Sequence, residues 1–321
     1  QGNVGWEQVT SVTPDGEEMT YDLSVPGPCN FVANGFIVHN STLALNWAYN
    51  QAVYMFHDVC FFSLEMPYVQ CRRILYAMHS MHGDFRDIRI RLGIQKDPGP
   101  NVGLDYGKIR DGALSPLEKE FLYGYVVPDL NSGRYGKIHL EVADPDKQDF
   151  TVADIRSKAE LIYSKAPFNM VFIDHAGLVA SRKWVPSTTE RLNEVIRDLK
   201  RLAMNFNRGA GMAVVTLFQI SREGFKAGEK AVEKAADKGV DSYGYGPYNL
   251  THLSYANECE RSSDIITSSY VDQTLRAQNR VLFQNLKSRD QAPFQNFFSR
   301  VEWSCRRILT SHEVLMVNPS A

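Results

Sequence analysis

The chain has 321 residues, 44% of them hydrophobic and 22% charged: enough apolar material for one large or two modest cores, and too balanced a composition for wholesale disorder. A formal net charge of −2 excludes a globally basic nucleic-acid footprint, leaving DNA binding open only to a localised surface. The longest apolar runs, at 59–64 and 170–173, are far too short to span a bilayer, and no secretory leader is visible. The five cysteines (Cys29, Cys60, Cys71, Cys259, Cys305) lack CxxC spacing, so a cytoplasmic chain in a reducing compartment, without structural zinc, is expected. Residue 1 is Gln rather than Met, which points to a truncated, processed or longer reading frame.

Residues 1–40 are rich in β-branched residues and turn formers. Short strands are predicted at 9–12, 20–25, 31–32 and 36–38, separated by Pro14-Asp15-Gly16, Pro26-Gly27-Pro28 and Asn34-Gly35. At Ser41 the texture changes. The spacing predicts a helix over 42–56, a fully buried strand at 59–64, and a helix over 68–82. Residues 83–115 read as irregular surface loops. The SPLE run 115–118 is a capping box with proline at the first helical position, so a helix should begin there. Strands are predicted at 137–142, 170–173, 212–218 and 281–286, and helices at 152–165 and 189–206. The polar, glycine-rich stretch 228–248 reads as a loop. Strands alternating with helices predict an α/β fold with a mostly parallel sheet and flanking helices.

The run TYDLSVPGPCNFVANGFIVHN (20–40), followed by Ser41, resembles the C-terminal motifs of inteins. The resemblance covers residues 1–40 and implies a small all-β segment, incomplete without an upstream half. Its chemistry follows from the residue types. The Asn40 side-chain amide can attack its own backbone carbonyl, forming a succinimide and cutting the chain. His39 can protonate the departing amine or polarise the carbonyl, an effect worth ~10²–10⁴-fold. Ser41 is the hydroxyl nucleophile that accepts the upstream segment as an ester. Asp22 matches the acidic residue of the YDL motif, which assists proton transfer at the upstream junction. Many inteins carry His before the Asn-Phe pair; here Cys29 stands there, which shifts more of the cyclisation onto His39. No cofactor is expected for splicing.

Beyond Asn40, STLALNWAYNQAV and then VCFFSLEMP resemble the phosphate-binding helix and next strand of DnaB-like replicative helicases, a RecA-fold ATPase family. There, GxxxxGK precedes a Ser/Thr pair and a helix. Here the glycines and lysine are absent and Asn40 occupies their place, which implies an intein inserted in the Walker A motif directly after the lysine. After splicing, Ser41 would ligate Mg²⁺ and Thr42 would continue the phosphate-binding helix; before splicing, ATP should bind poorly or not at all. The resemblance implies further roles. Glu65, ending SLEMP's strand, would orient or deprotonate the attacking water. Asp174, ending NMVFID, would be the Walker B carboxylate beside Mg²⁺, with His175 a packing variant of the usual aromatic. Gln219 would sense the γ-phosphate. Lys287 and Arg289 would reach the ATP of a neighbouring subunit, and Arg222 and Lys226 would contact DNA.

The implied domains are therefore 1–40, an intein end, and 41–321, a helicase core lacking its P-loop glycines and lysine. The implied partners are single-stranded DNA, further copies in a homo-hexamer, and the missing N-terminal intein and helicase segment, with no membrane. Two alternatives stay open: a RecA- or KaiC-like recombination or regulatory ATPase, and a splicing-incompetent inactive fragment.

Overall fold

The structure, a computed structural model, describes residues 40–143, 149–183, 185, 187–218, 220, 222–238, 246–252 and 256–309. The expected β-rich segment at 1–39, with Asp22, Cys29 and His39, lies outside these residues, as do Gln219 and the side chains of Asn40 and Arg222. The chain divides into two units, Gln1–His39 and Asn40–Ala321, and every described residue belongs to the second.

In chain order the elements are α1 (Asn40–Val53), β1 (Val59–Ser63), α2 (Tyr68–His79), α3 (Arg86–Arg91), α4 (Tyr106–Asp111), α5 (Pro116–Phe121), α6 (Val127–Leu130), β2 (Ile138–Val142), α7 (Val152–Lys165) and β3 (Met170–Asp174). There follow α8 (Thr188–Gly209), β4 (Ala213–Thr216), α9 (Arg222–Asp237), α10 (Ala256–Ser262), β5 (Ile265–Tyr270), α11 (Gln273–Ala277), β6 (Arg280–Ser288), β7 (Phe297–Glu302) and β8 (Arg307–Ile308). The first four strands form a parallel sheet of order β2-β1-β3-β4. The last four form an antiparallel sheet of order β5-β6-β7-β8, which the sequence reading of a mostly parallel sheet did not separate.

The parallel sheet is covered on both faces, which is why β1 and β3 read as continuous apolar runs. Phe61 and Phe172 stack at 6.1 Å within the cluster that holds Ala44, Leu45, Ala48 and Tyr49 of α1. Cys60, Phe62, Val171 and Ile173 point into the opposite cluster with Ile155 of α7 and Val195 and Leu199 of α8. Helix α5 begins as expected: Ser115 accepts from the Glu118 backbone N–H and the Glu118 side chain accepts from that of Ser115. Two segments differ from expectation. Region 83–115 contains α3 and α4 rather than only loop, organised around a buried Arg89 that donates to the Ser80 and His82 carbonyls and to Gln95 and Asn101. Residues 222–237, overlapping the expected loop, form α9.

The second sheet is tied to α1 by another buried arginine. Arg307, fully buried, donates to Asn46 Oδ1 at 2.9 Å and Asn50 Oδ1 at 2.8 Å, and its guanidinium lies 4.7 Å from the Tyr49 ring centroid. Asn46 also accepts from the Ile308 N–H and donates to the Arg306 carbonyl. Asn46→Ala should destabilise the unit by about 3–5 kcal/mol, because a buried cation loses one of its acceptors and three backbone groups, the Thr42 and Arg306 carbonyls and the Ile308 N–H, lose a partner; urea unfolding with an unchanged m-value is the check, and a loss below about 1 kcal/mol would contradict it.

Candidate active site

Ligand sites of open parallel sheets lie beyond the carboxyl ends of the strands, and there three of the sequence-predicted residues meet. Asp174 is the last residue of β3, in register with Ser63, the last residue of β1. Ser63 then closes a tight turn: its hydroxyl donates to the Met66 carbonyl at 2.7 Å and accepts from the Met66 N–H at 3.1 Å. That turn places half-buried Glu65 at the strand end. Ser41 lies in the first turn of α1, whose leading N–H groups have no partner within the helix and carry the positive end of its dipole. Thr42 follows, half-buried, its carbonyl accepting from the Asn46 amide.

The electrostatics of this cluster are unusual. Asp174 is 0% exposed and Ser41 1% exposed, yet both Asp174 carboxylate oxygens and the Ser41 hydroxyl have no hydrogen-bond partner. A carboxylate in such a position costs several kcal/mol unless something pairs with it. Burial accordingly pushes the Asp174 carboxyl up to about 6, helped by the Glu65 charge; the nearby Ser41 hydroxyl opposes this without forming a full hydrogen bond. A hydroxyl and a carboxylate, both buried and orphaned beside a helix N-terminus, are the oxygen donor set that suits a hard cation such as Mg²⁺. Among the described residues no group of three or more His, Cys, Asp or Glu that could hold a metal ion is found. His175 Nδ1 accepts from the Gly177 N–H at 3.1 Å and caps the turn after β3.

Lys287 and Arg289 belong to a separate cluster at the end of β6. Lys287 donates to the carbonyls of Glu260 and Ser263, and Arg289 donates to the Arg261 carbonyl at 2.6 Å and to Asp264 Oδ1 at 3.1 Å. Lys200 of α8 also reaches Asp264, at 2.8 and 2.6 Å. Sequence reading did not single out Asp264 or Lys200; nothing in the local pattern distinguishes either from a surface ion. Lys226 sits on α9; along that helix and the residue after it, Lys226, Lys230, Lys234 and Lys238 recur every four residues, all exposed.

Comparison with known proteins bears on the fold. No family model matches the chain. Over 41 residues, 13% of its length, the chain is 56% identical to the replicative DNA helicase DnaB of Rhodothermus marinus and 54% identical to that of a Synechocystis species. Those stretches are only 4% and 5% of the relatives' own lengths. Among solved structures, a DnaB-like replicative helicase described with its interactions with primase matches 84% of this chain and 55% of its own, at TM-score 0.60 and 20% identity. A second solved structure, described as an ATPase domain, matches 85% of this chain and 82% of its own, at TM-score 0.54 and 20% identity. The α/β fold is thus similar to that of these two solved structures. Among the described residues no helix is long and apolar enough to cross a membrane.

Proposed function

We propose that this chain is the C-terminal part of an intein-interrupted replicative DNA helicase, and that splicing completes its ATPase. One observation carries the reading: the orphaned Ser41 hydroxyl and Asp174 carboxylate, buried at the carboxyl edge of a helicase-like sheet.

In the spliced protein, Ser41 and Asp174 are the residues that would hold Mg²⁺, which supplies charge neutralisation at the transferring phosphoryl group. The leading N–H groups of α1 would meet the phosphates alongside the P-loop glycines and lysine contributed from upstream. Glu65, in the turn after β1, would orient and deprotonate the attacking water, and Gln219 after β4 would sense the γ-phosphate. Lys287 and Arg289 would act on the nucleotide of the next subunit in a homo-hexameric ring, where charge develops on the γ-phosphoryl oxygens. Ring closure around single-stranded DNA would turn hydrolysis into movement. A strand-displacement assay on the spliced product tests the whole: ATP-dependent unwinding is expected, whereas filament formation without unwinding would favour a recombination ATPase.

DNA contact is assigned to α9, through Arg222 and Lys226 and the exposed lysines that follow. Replacing Lys226, Lys230, Lys234 and Lys238 with Ala should weaken oligonucleotide binding without sequence preference. The slope of log affinity against log salt should flatten by ~0.7 per phosphate contact removed. An unchanged slope in fluorescence anisotropy would remove α9 from the DNA-binding surface.

A further inference from the structure

Around Asp264 three cations share one carboxylate and its neighbouring carbonyls, and the geometry of that sharing is uneven. Lys200 Nζ contacts both carboxylate oxygens, at 2.8 and 2.6 Å. Arg289 reaches only Oδ1, through Nη1 at 3.1 Å, and its Nη2 turns instead to the Arg261 carbonyl at the end of α10. The Arg289 backbone N–H donates to the Asp264 carbonyl at 2.9 Å, so the two residues are held side by side whatever their side chains do. A guanidinium beside a carboxylate ordinarily takes both oxygens in a parallel fork, the strongest pairing open to it. Here the second oxygen belongs to Lys200.

We propose that Lys200 is a positioning residue for Arg289: by occupying Asp264 it prevents a two-pronged Arg289–Asp264 clamp and keeps the guanidinium exchangeable, ready to leave for a polyphosphate. When Arg289 leaves, Asp264 keeps a cation on both oxygens, so no carboxylate is stranded and the exchange costs little. The half-exposed setting favours this, with Lys200, Asp264 and Arg289 side chains 27%, 51% and 43% exposed. Lys287, tethered to the carbonyls of Glu260 and Ser263, would supply the second cation for the same ligand. The inference rests on the reading that Lys287 and Arg289 meet nucleotide phosphates, and it adds a residue from α8 to that device.

A double-mutant cycle on the spliced protein separates the idea from simple charge. The probe is inorganic tripolyphosphate, titrated calorimetrically at fixed ionic strength. Lys200→Met should weaken binding on the order of tenfold when Asp264 is present, because Arg289 then closes on the freed oxygen. In an Asp264→Asn background the same substitution should cost less than about twofold. Lys200→Gln, which keeps a polar contact to Asp264, should fall between. Equal losses in both backgrounds would mean that only net charge is felt, and would overturn the proposal while leaving the role of Arg289 intact. If Arg289→Ala leaves tripolyphosphate binding unchanged, both the clasp and the phosphate-facing reading of Arg289 fail.

Discussion

In the spliced protein, Asp174→Asn is expected to lower ATP hydrolysis on the order of 10³-fold while making the fold more stable at pH 7. The two effects share a cause. Asp174 is fully buried and its carboxylate has no hydrogen-bond partner, so its carboxyl is raised to about 6. The folded state therefore binds a proton more readily than the unfolded chain, whose carboxyl has the ordinary value of 3.8. Above pH 6 the folded protein carries the ionised group at a cost on the order of 3 kcal/mol, and this cost is relieved as pH falls through 6 toward the unfolded value. Asn removes the titration, so the stability gap between variant and parent should be widest at pH 7 and shrink by pH 5. His79 works in the opposite direction: burial holds its imidazole down to about 4, so its contribution is lost as pH falls below the ordinary histidine range. Comparing Asp174→Asn with its parent at each pH cancels that background. Hydrolysis retained within tenfold, or a variant less stable than its parent at pH 7, would contradict the assignment. A site that gains stability on losing its charge is one shaped for a ligand.

The second large effect concerns the bond after Asn40. With a complementary N-terminal intein segment supplied, the chain should yield a product ligated at Ser41 and a released segment ending at residue 40. Asn40→Ala should abolish cleavage, and His39→Ala should slow it by ~10²–10⁴-fold. The structure adds a condition. Asn40 opens α1 and Ser41 is buried within its first turn, so the hydroxyl must leave the helix before it can accept an ester. Terminal turns open at low free-energy cost, which makes low, non-denaturing urea an accelerant rather than an inhibitor of ligation. Ligation that proceeds unchanged in Asn40→Ala would remove residues 1–40 from splicing.

Much of the central architecture was legible because it rests on local pattern. VCFFS and MVFID announce strands buried on both faces, and their trailing Glu65 and Asp174 fall at the carboxyl edge because parallel strands end together. The SPLE capping box is equally local. What was not legible depends on distant partners. Arg89 looks like a surface charge in RDIRIR, yet carbonyls and amides from four other positions bury it and organise α3. Gly224 and Gly228 look like helix breakers; in α9 they let the helix lie against its neighbours, since a Cβ there would sit 2.6 Å from the His252 carbonyl oxygen and 2.8 Å from the Tyr248 ring. The Lys200–Asp264–Arg289 cluster joins α8, the end of α10 and β6 across 64 and 25 residues of chain, a separation that no sequence window spans.

If Ser41 completes a nucleotide cradle whose other half arrives by splicing, nucleotide affinity must appear only once the chain is ligated. Thermal unfolding with and without MgATP, run on the chain before and after ligation at Ser41, reads this out. No stabilisation by MgATP is expected before ligation, and after it a rise of several degrees that Ser41→Ala removes when built into a directly expressed ligated sequence. Equal stabilisation of the unligated chain would contradict the claim.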